Sequence, residues 1–197
     1  MKTEIEAKFV KLDIDDVRAR LEQAGATLEQ PMRMMRRQTF DPVSDSAHRY
    51  VRVRDEGDKV TMTYKQFDDM GLHGAKEIEI VVSDFEDARS ILIQAGLHAK
   101  SYQETRRETW MLDGAEVVID EWPWIKPFIE IEGESEQIVR AAAETLGFDW
   151  GDAVFGDVTQ AYRAEFDLPP DDEFHICKIP TIQFDLPLPE ELKGHER

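Results

Sequence analysis

Glu4-Ile5-Glu6-Ala7-Lys8 is the stretch that decides how this chain folds. Glu4, Glu6 and Lys8 lie two apart, so on a β-strand they share one face. Ile5, Ala7 and Phe9 share the other, which makes the segment charged on one side and apolar on the other. Glu77-Ile78-Glu79 and Glu130-Ile131-Glu132 repeat the pattern. One acidic pair on a strand is an ordinary solvated face. Three pairs, accompanied by strands carrying Arg and Lys in the same alternation, predict a barrel with a polar inside and an apolar outside.

The basic residues follow the same rhythm. Arg52 and Arg54 alternate within Tyr50-Val51-Arg52-Val53-Arg54, Lys65 is in phase with Thr61 and Thr63, Arg107 with Thr105, and Asp120 with Val118. On the opposite faces, Ile5, Val51, Val53, Ile78, Ile119, Ile129 and Ile131 are expected to pack under helices. Crowded carboxylates repel one another unless a cation joins them, and crowded Arg and Lys need anions. Carboxylates suit Mg²⁺ or Mn²⁺, which usually share their shell with substrate phosphates. Arg forks suit phosphate oxygens. A polyphosphate bridged to the protein by a divalent metal meets both demands. The competing reading is a set of solvated faces with cross-strand salt bridges. It is the better reading of any single Glu-x-Glu pair. For the whole set it requires every charged face to meet solvent while the opposite faces build one core. Arg33 and Arg37 are in phase with each other and are read as a solvated strand face; Trp122 and Trp124 are read as core or rim packing.

Along the chain, a strand over 2–11 precedes a helix capped by Asp13, running to about Gln23 and ended by Gly25. An extended segment spans 27–41 around Pro31, with a turn at 42–47. Strands at 48–55 and 59–67 flank the hairpin turn Glu56-Gly57-Asp58. A turn at 68–72 leads to a strand over 73–82. Ser83 is expected to cap a helix with Phe85, Ala88, Leu92 and Ile93 on its apolar side, ended by Gly96. Strands at about 97–112, 116–122 and 128–133 follow, then a helix capped by Ser135 and a short helix over 158–166. The strand–helix–strands order recurs in both halves, in keeping with an internal duplication. Residues 1–166 read as one domain. Residues 167–197 read as an extension holding five of the nine prolines, and Ile176, Ile179, Ile182, Phe184 and Leu186 predict that it packs on the domain or on a partner.

Composition narrows the function. A hydrophobic content of 41% supports a real core. The net charge of -18 argues against nonspecific nucleic-acid or anionic-membrane binding. The single cysteine, Cys177, excludes an intramolecular disulfide framework and reads as a buried or tail thiol. With no signal-peptide h-region and no membrane-length apolar run, a cytoplasmic protein is expected. His48, His73, His98, His175 and His195 show no metal-ligand spacing.

Glu4-Ile5-Glu6-Ala7-Lys8 resembles the ExExK signature of the CYTH superfamily, the triphosphate tunnel metalloenzymes. The resemblance continues through Arg52-Val53-Arg54, Lys65, Glu77-Ile78-Glu79, Arg107, Asp120 and Glu130-Ile131-Glu132, and covers about residues 1–165. It implies an α+β fold: an eight-stranded antiparallel β-barrel, the triphosphate tunnel, with helices packed outside. It implies that Glu4, Glu6, Asp120, Glu130 and Glu132 face a Mg²⁺ or Mn²⁺ site. Glu77 and Glu79 would join them or orient the basic residues. Lys8, Arg52, Arg54, Lys65 and Arg107 would grip phosphates, with Glu130, Asp120 and Lys65 as the catalytic candidates. Two departures stand out. The Gly-rich segment many members carry before the last acidic strand is here Trp122-Pro123-Trp124-Ile125-Lys126-Pro127. The strand that commonly carries Lys-x-Arg reads Thr105-Arg106-Arg107, leaving Arg106 or Lys126 to compensate for the missing Lys.

The expected partner is therefore a triphosphate-containing small molecule, and the apolar tail permits a homodimer. Hydrolysis of that triphosphate is the first reading, since it needs fewer specific contacts. A class IV adenylyl cyclase would use the same machinery with the ribose 3′-hydroxyl as nucleophile. A non-catalytic polyphosphate- or nucleotide-binding module is a third reading, disfavoured because binding alone needs mainly cations.

Overall fold

In a computed structural model of the chain, residues 1–41, 49–69, 71–170 and 173–197 are described. The turn expected at 42–47, position 48 of the next strand and position 70 of the 68–72 turn lie outside them. The strands are β1 (Lys2–Thr3), β2 (Glu6–Phe9), β3 (Thr27–Asp41), β4 (Arg49–Asp55), β5 (Val60–Phe67), β6 (Ala75–Val82), β7 (His98–Leu112), β8 (Ala115–Glu121), β9 (Phe128–Glu132) and β10 (Thr181–Ile182). Helices α1 (Ile14–Gln23), α2 (Phe85–Gln94), α3 (Glu136–Thr145) and α4 (Thr159–Glu165) complete the chain, with 3₁₀ turns at Trp150–Asp152 and Ile176–Lys178.

The sheet order is β1-β6-β5-β4-β3-β7-β8-β9-β2, antiparallel throughout. The expected first strand is thus two short ones. β1 pairs with β6 and β2 with β9, and the break at Glu4-Ile5 lets residues 2–9 join both ends of the curled sheet. The Glu4 N–H donates to Ala75 O at 3.0 Å, and the Gly133 N–H donates to Ile5 O at 3.1 Å. Counting β1 and β2 as one, eight strands enclose the interior. β3 runs through Pro31 with register shifts near Gln30, which keep Pro31 in the strand without a ladder donor.

The outer face is apolar where helices cover it. Val17 and Leu21 of α1 and Val139, Ala142 and Ala143 of α3 pack on Ala7, Phe9, Val117, Ile119, Ile129 and Ile131. Phe85 and Ala88 of α2 pack on Phe40 and Val53. Two expectations need correction here. Asp84, not Ser83, caps α2, its carboxylate accepting the Asp87 N–H at 2.8 Å. Ile78 and Ile93 remain 54% and 43% exposed: of the outer face of β6 it is Val82 that packs against the α2 core, and neither Ile78 nor Ile93 joins that cluster.

The C-terminal residues build a further core. Tyr162, Phe166, Phe174, Ile176, Ile179, Ile182 and Leu192 pack with Trp122 and Phe128. β8 begins pairing with β7 only at Arg106, and β10 occupies the open β7 edge in parallel, Thr181 opposite Tyr102. Among the described residues no helix is long and apolar enough to cross a membrane. Ile176 is fully buried, so Ile176→Ala should lower the unfolding free energy by about 2–4 kcal/mol in denaturant titration. A tail only loosely attached to the barrel would leave that value unchanged.

Candidate functional site

The alternation of the strands turns one face of each inward, and those faces meet in a cavity of about 510 Å³. Glu4, Glu6, Lys8, Arg52, Arg54, Lys65, Glu77, Glu79, Arg107, Asp120, Glu130 and Glu132 all line it. Side chains seven strands apart in sequence therefore share one wall-enclosed space.

Their charges interleave. Lys8 Nζ lies 2.8 Å from Glu6 Oε1 and 3.3 Å from Glu130 Oε1, and donates to Gly156 O at 2.7 Å. These three partners use all three ammonium protons. Lys65 pairs with Glu4. Arg107 Nε donates to Asp120 Oδ1 at 2.7 Å, and its Nη2 donates to Glu130 Oε2 at 2.9 Å. Arg52 approaches Glu79 at 3.6 Å, and Thr63 Oγ1 donates to the same carboxylate at 2.7 Å. Arg54 Nε donates to Glu56 Oε1 at 2.9 Å. In a low-dielectric interior this mutual neutralisation offsets the cost of desolvating so many ions.

The field is uneven along the wall. Burial opposes ionisation of Glu130, but Lys8 and Arg107 hold its pKa well below the usual carboxylate range. Burial likewise opposes the charges on Lys8 and Lys65, which neighbouring carboxylates nonetheless keep firmly protonated. Elsewhere repulsion wins. Burial, and then Glu4, push Glu77 up to about 7, and burial and Glu4 also raise Glu132. Burial and the neighbouring guanidinium of Arg52 push Arg54 down to about 10 and Arg37 to about 9.

Arg33 and Arg37 require a correction. Both line the cavity, and Arg37 is only 7% exposed, so they do not form a solvated strand face. Their parity within β3 was the available signal, but alternation alone does not say which face turns inward. Arg106 and Lys126, the expected substitutes for the missing Lys, do not line the cavity; Arg106 instead pairs with Glu121 at 3.1 Å outside. The Trp122–Pro127 segment turns tightly, with Trp124 at φ 69°, a conformation glycine adopts without strain. Trp122 is core, as expected, and also forms cavity wall; the Trp124 indole N–H donates to Leu186 O.

Glu56 was read as a turn residue, yet it continues the Arg52, Arg54 alternation and is 4% exposed. Asp157, His175 and Cys177 also line the cavity, and no sequence pattern announced them. His175 Nε2 lies 2.7 Å from Asp157 Oδ2, while the Cys177 N–H donates to its Nδ1. Burial opposes the charge on the ring, but the Asp157 carboxylate and Cys177 push its pKa up to about 10.

Among the described residues no three carboxylate, imidazole or thiol groups converge into a preformed cation shell. The donor set nevertheless fits a divalent cation that keeps ligands from elsewhere. Glu77 and Glu132 are oxygen donors that burial and the neighbouring Glu4 carboxylate, itself held ionised by Lys65, push toward neutrality, and a hard cation would relieve them.

Comparison with known proteins agrees with this geometry. The CYTH domain profile matches residues 2–149. The chain belongs to the CYTH domain family. No curated protein matches it. Among solved structures, the CYTH chain is similar to the PH1012 protein from Pyrococcus horikoshii OT3, with TM-score 0.65 and 24% identity over 76% of this chain and 93% of that one. A Vibrio parahaemolyticus protein described as a candidate adenylate cyclase gives TM-score 0.69 at 11% identity, covering 82% and 98%. The Hippeastrum protein HpAC1, described as a candidate adenylyl cyclase with a dominant triphosphatase activity, gives 0.55 at 12%, covering 83% and 96%. At these identities the likeness is one of fold.

Two carboxylates of this CYTH tunnel should behave oppositely. Glu56→Gln strands Arg54 and should cost about 3 kcal/mol of unfolding free energy near neutral pH. The folded-state pKa of Glu56 is lowered, so its contribution is present above the ordinary value of 4.5 and fades as pH falls below it. Glu132→Gln removes a repelled charge whose ion pair is the exposed Lys2, and should leave metal-free stability unchanged or higher. Denaturant titrations of both variants across pH check this.

Proposed function

We propose that this CYTH protein is a divalent-metal-dependent triphosphatase that cleaves a phosphoanhydride bond of a triphosphate held inside the tunnel. One observation carries the reading: a cationic row and a carboxylate row face the same enclosed cavity. Arg52, Arg54, Lys65 and Arg107 would hold the phosphate chain, with Arg forks matching phosphate oxygens. Lys8 belongs to this set by its place in the motif, but its donors are already engaged, so it acts chiefly by holding Glu6 and Glu130. Glu4, Glu6, Glu77, Glu79, Asp120, Glu130 and Glu132 are the proposed ligands of Mg²⁺ or Mn²⁺. When bound, that ion would neutralise non-bridging phosphate oxygens.

The protein's own groups do the rest. Glu130 and Asp120, both held by Arg107, are poised to accept hydrogen bonds from the attacking water and aim it at phosphorus. As the water oxygen bonds to phosphorus, the anhydride P–O bond breaks, the leaving phosphate takes the electron pair, and the water's proton passes to a phosphate oxygen. Lys65 and the arginines meet the charge that develops on it.

Two of the three aromatic rings in the lining already face other protein groups, which supports inorganic triphosphate as the first substrate to test. Trp122 already stacks against Arg37 at 4.7 Å and packs on Tyr162, and Phe67 faces Lys65 at 5.5 Å, so these rings are engaged before any base arrives. The test is incubation with Mg²⁺ or Mn²⁺ and inorganic triphosphate, thiamine triphosphate or ATP, with products resolved by chromatography. Pyrophosphate and orthophosphate from inorganic triphosphate are expected, and chelator should abolish turnover. Cyclic AMP from ATP would make it a cyclase, and binding without turnover a binding module. Arg52→Ala should lower kcat/KM by a factor that corresponds to roughly 2–4 kcal/mol of transition-state stabilisation. Arg140→Ala, on the outside of α3 beside Glu136, should not.

A further inference from the structure

Each cationic side chain lining the tunnel, with one exception, has a carboxylate oxygen within 4.0 Å. The exception is Arg37. It is 7% exposed, and among the described residues it forms no ion pair. Its Nη2 donates to Thr105 Oγ1 at 3.2 Å, and its guanidinium lies over the Trp122 ring. Its Nε has no partner. Burying an unpaired guanidinium among other guanidinium groups is costly, and the natural remedy is an anion with several oxygens.

The surroundings say which part of the anion. Arg37 pairs in register with Gln103, whose side-chain amide meets Cys177 Sγ at 3.6 Å. Trp122, beneath Arg37, packs edge-on against Tyr162 of α4. Arg37 therefore sits where the C-terminal residues form the cavity wall, and a group bound there has protein behind it. A phosphate bearing a substituent on that side would collide with the wall, whereas a free terminal phosphate, with three oxygens and the most charge, would not.

We propose that Arg37 forms the subsite for the unsubstituted terminal phosphate of the substrate. The chain enters phosphate-first, and any organic group on the other end points away from the C-terminal wall. This deepens the triphosphatase reading and rests on it for the remainder of the substrate.

The experiment measures Kd by calorimetry in Ca²⁺ buffer for linear tripolyphosphate and for cyclic trimetaphosphate, which has three phosphates and no terminal one. Arg37→Gln should weaken linear tripolyphosphate about thirtyfold. It should leave trimetaphosphate unchanged, and should not lower the ligand-free melting temperature, because an uncompensated buried charge has gone. Should the Gln variant fail to fold, Arg37→Lys, which keeps the charge without the fork, takes its place in the same comparison. Unchanged affinity for the linear anion would overturn the proposal, and equal losses for both anions would overturn its terminal-phosphate part. If the wild type binds no tripolyphosphate, the triphosphatase reading falls. Thermal shifts with orthophosphate and pyrophosphate then decide the subsite: an Arg37-dependent shift keeps it, and no shift removes it.

Discussion

The structure depends on mutual neutralisation of buried ions inside a closed sheet. The barrel lines one cavity with 21 Asp, Glu, Lys and Arg side chains, and isolated burial of any of the deeper ones would be prohibitive. The sequence solves this by interleaving. Glu130 stands between Lys8 and Arg107, Asp120 chelates Arg107, and Glu4 takes Lys65. The balance is local rather than complete. At one part of the wall, beside Glu4, the carboxylates Glu77 and Glu132 remain in surplus, and at another Arg37 does. Those two imbalances have opposite sign, and an anionic substrate carried with a cation is the object that would cancel both.

Closure makes the balance meaningful. An open sheet would let the same side chains relax into water, where exposed pairs contribute little. Residues 2–9 prevent this by pairing with β6 at one end and β9 at the other. The residues that join the sheet edges are the ones that carry Glu4, Glu6 and Lys8, so barrel closure and site assembly are one event. The C-terminal segment adds to it. Val154 pairs with Lys8 in both directions, and Gly156 O takes the third Lys8 proton. These residues lie beyond the stretch matched by the CYTH profile, as do Asp157, Val158, His175 and Cys177, which contribute wall to the cavity.

What the sequence by itself determined was periodicity. Alternation in β2, β4, β5, β6, β8 and β9 is strict enough that a one-residue slip would expose the apolar set, so the inward faces of Glu6, Arg52, Lys65, Glu79, Asp120 and Glu130 were legible residue by residue. Helix starts at Asp13 and Ser135 were legible because capping is a local hydrogen bond. What only the tertiary structure decided was which of two equivalent faces turned inward on β3, where polar and apolar residues occupy both. Arg37 and Arg36 are neighbours in a basic run; one is sealed against Trp122, and the other lies over Phe85 under α2. Ile78 shows the converse: alternation put it on the apolar face, but only helix placement decides whether that face is covered. Cys177 reaches the cavity beside Gln103, 74 residues earlier, and Asp157 follows Gly156, whose carbonyl accepts from Lys8, 148 residues before it. Such contacts follow from how the chain packs, since no local preference specifies them.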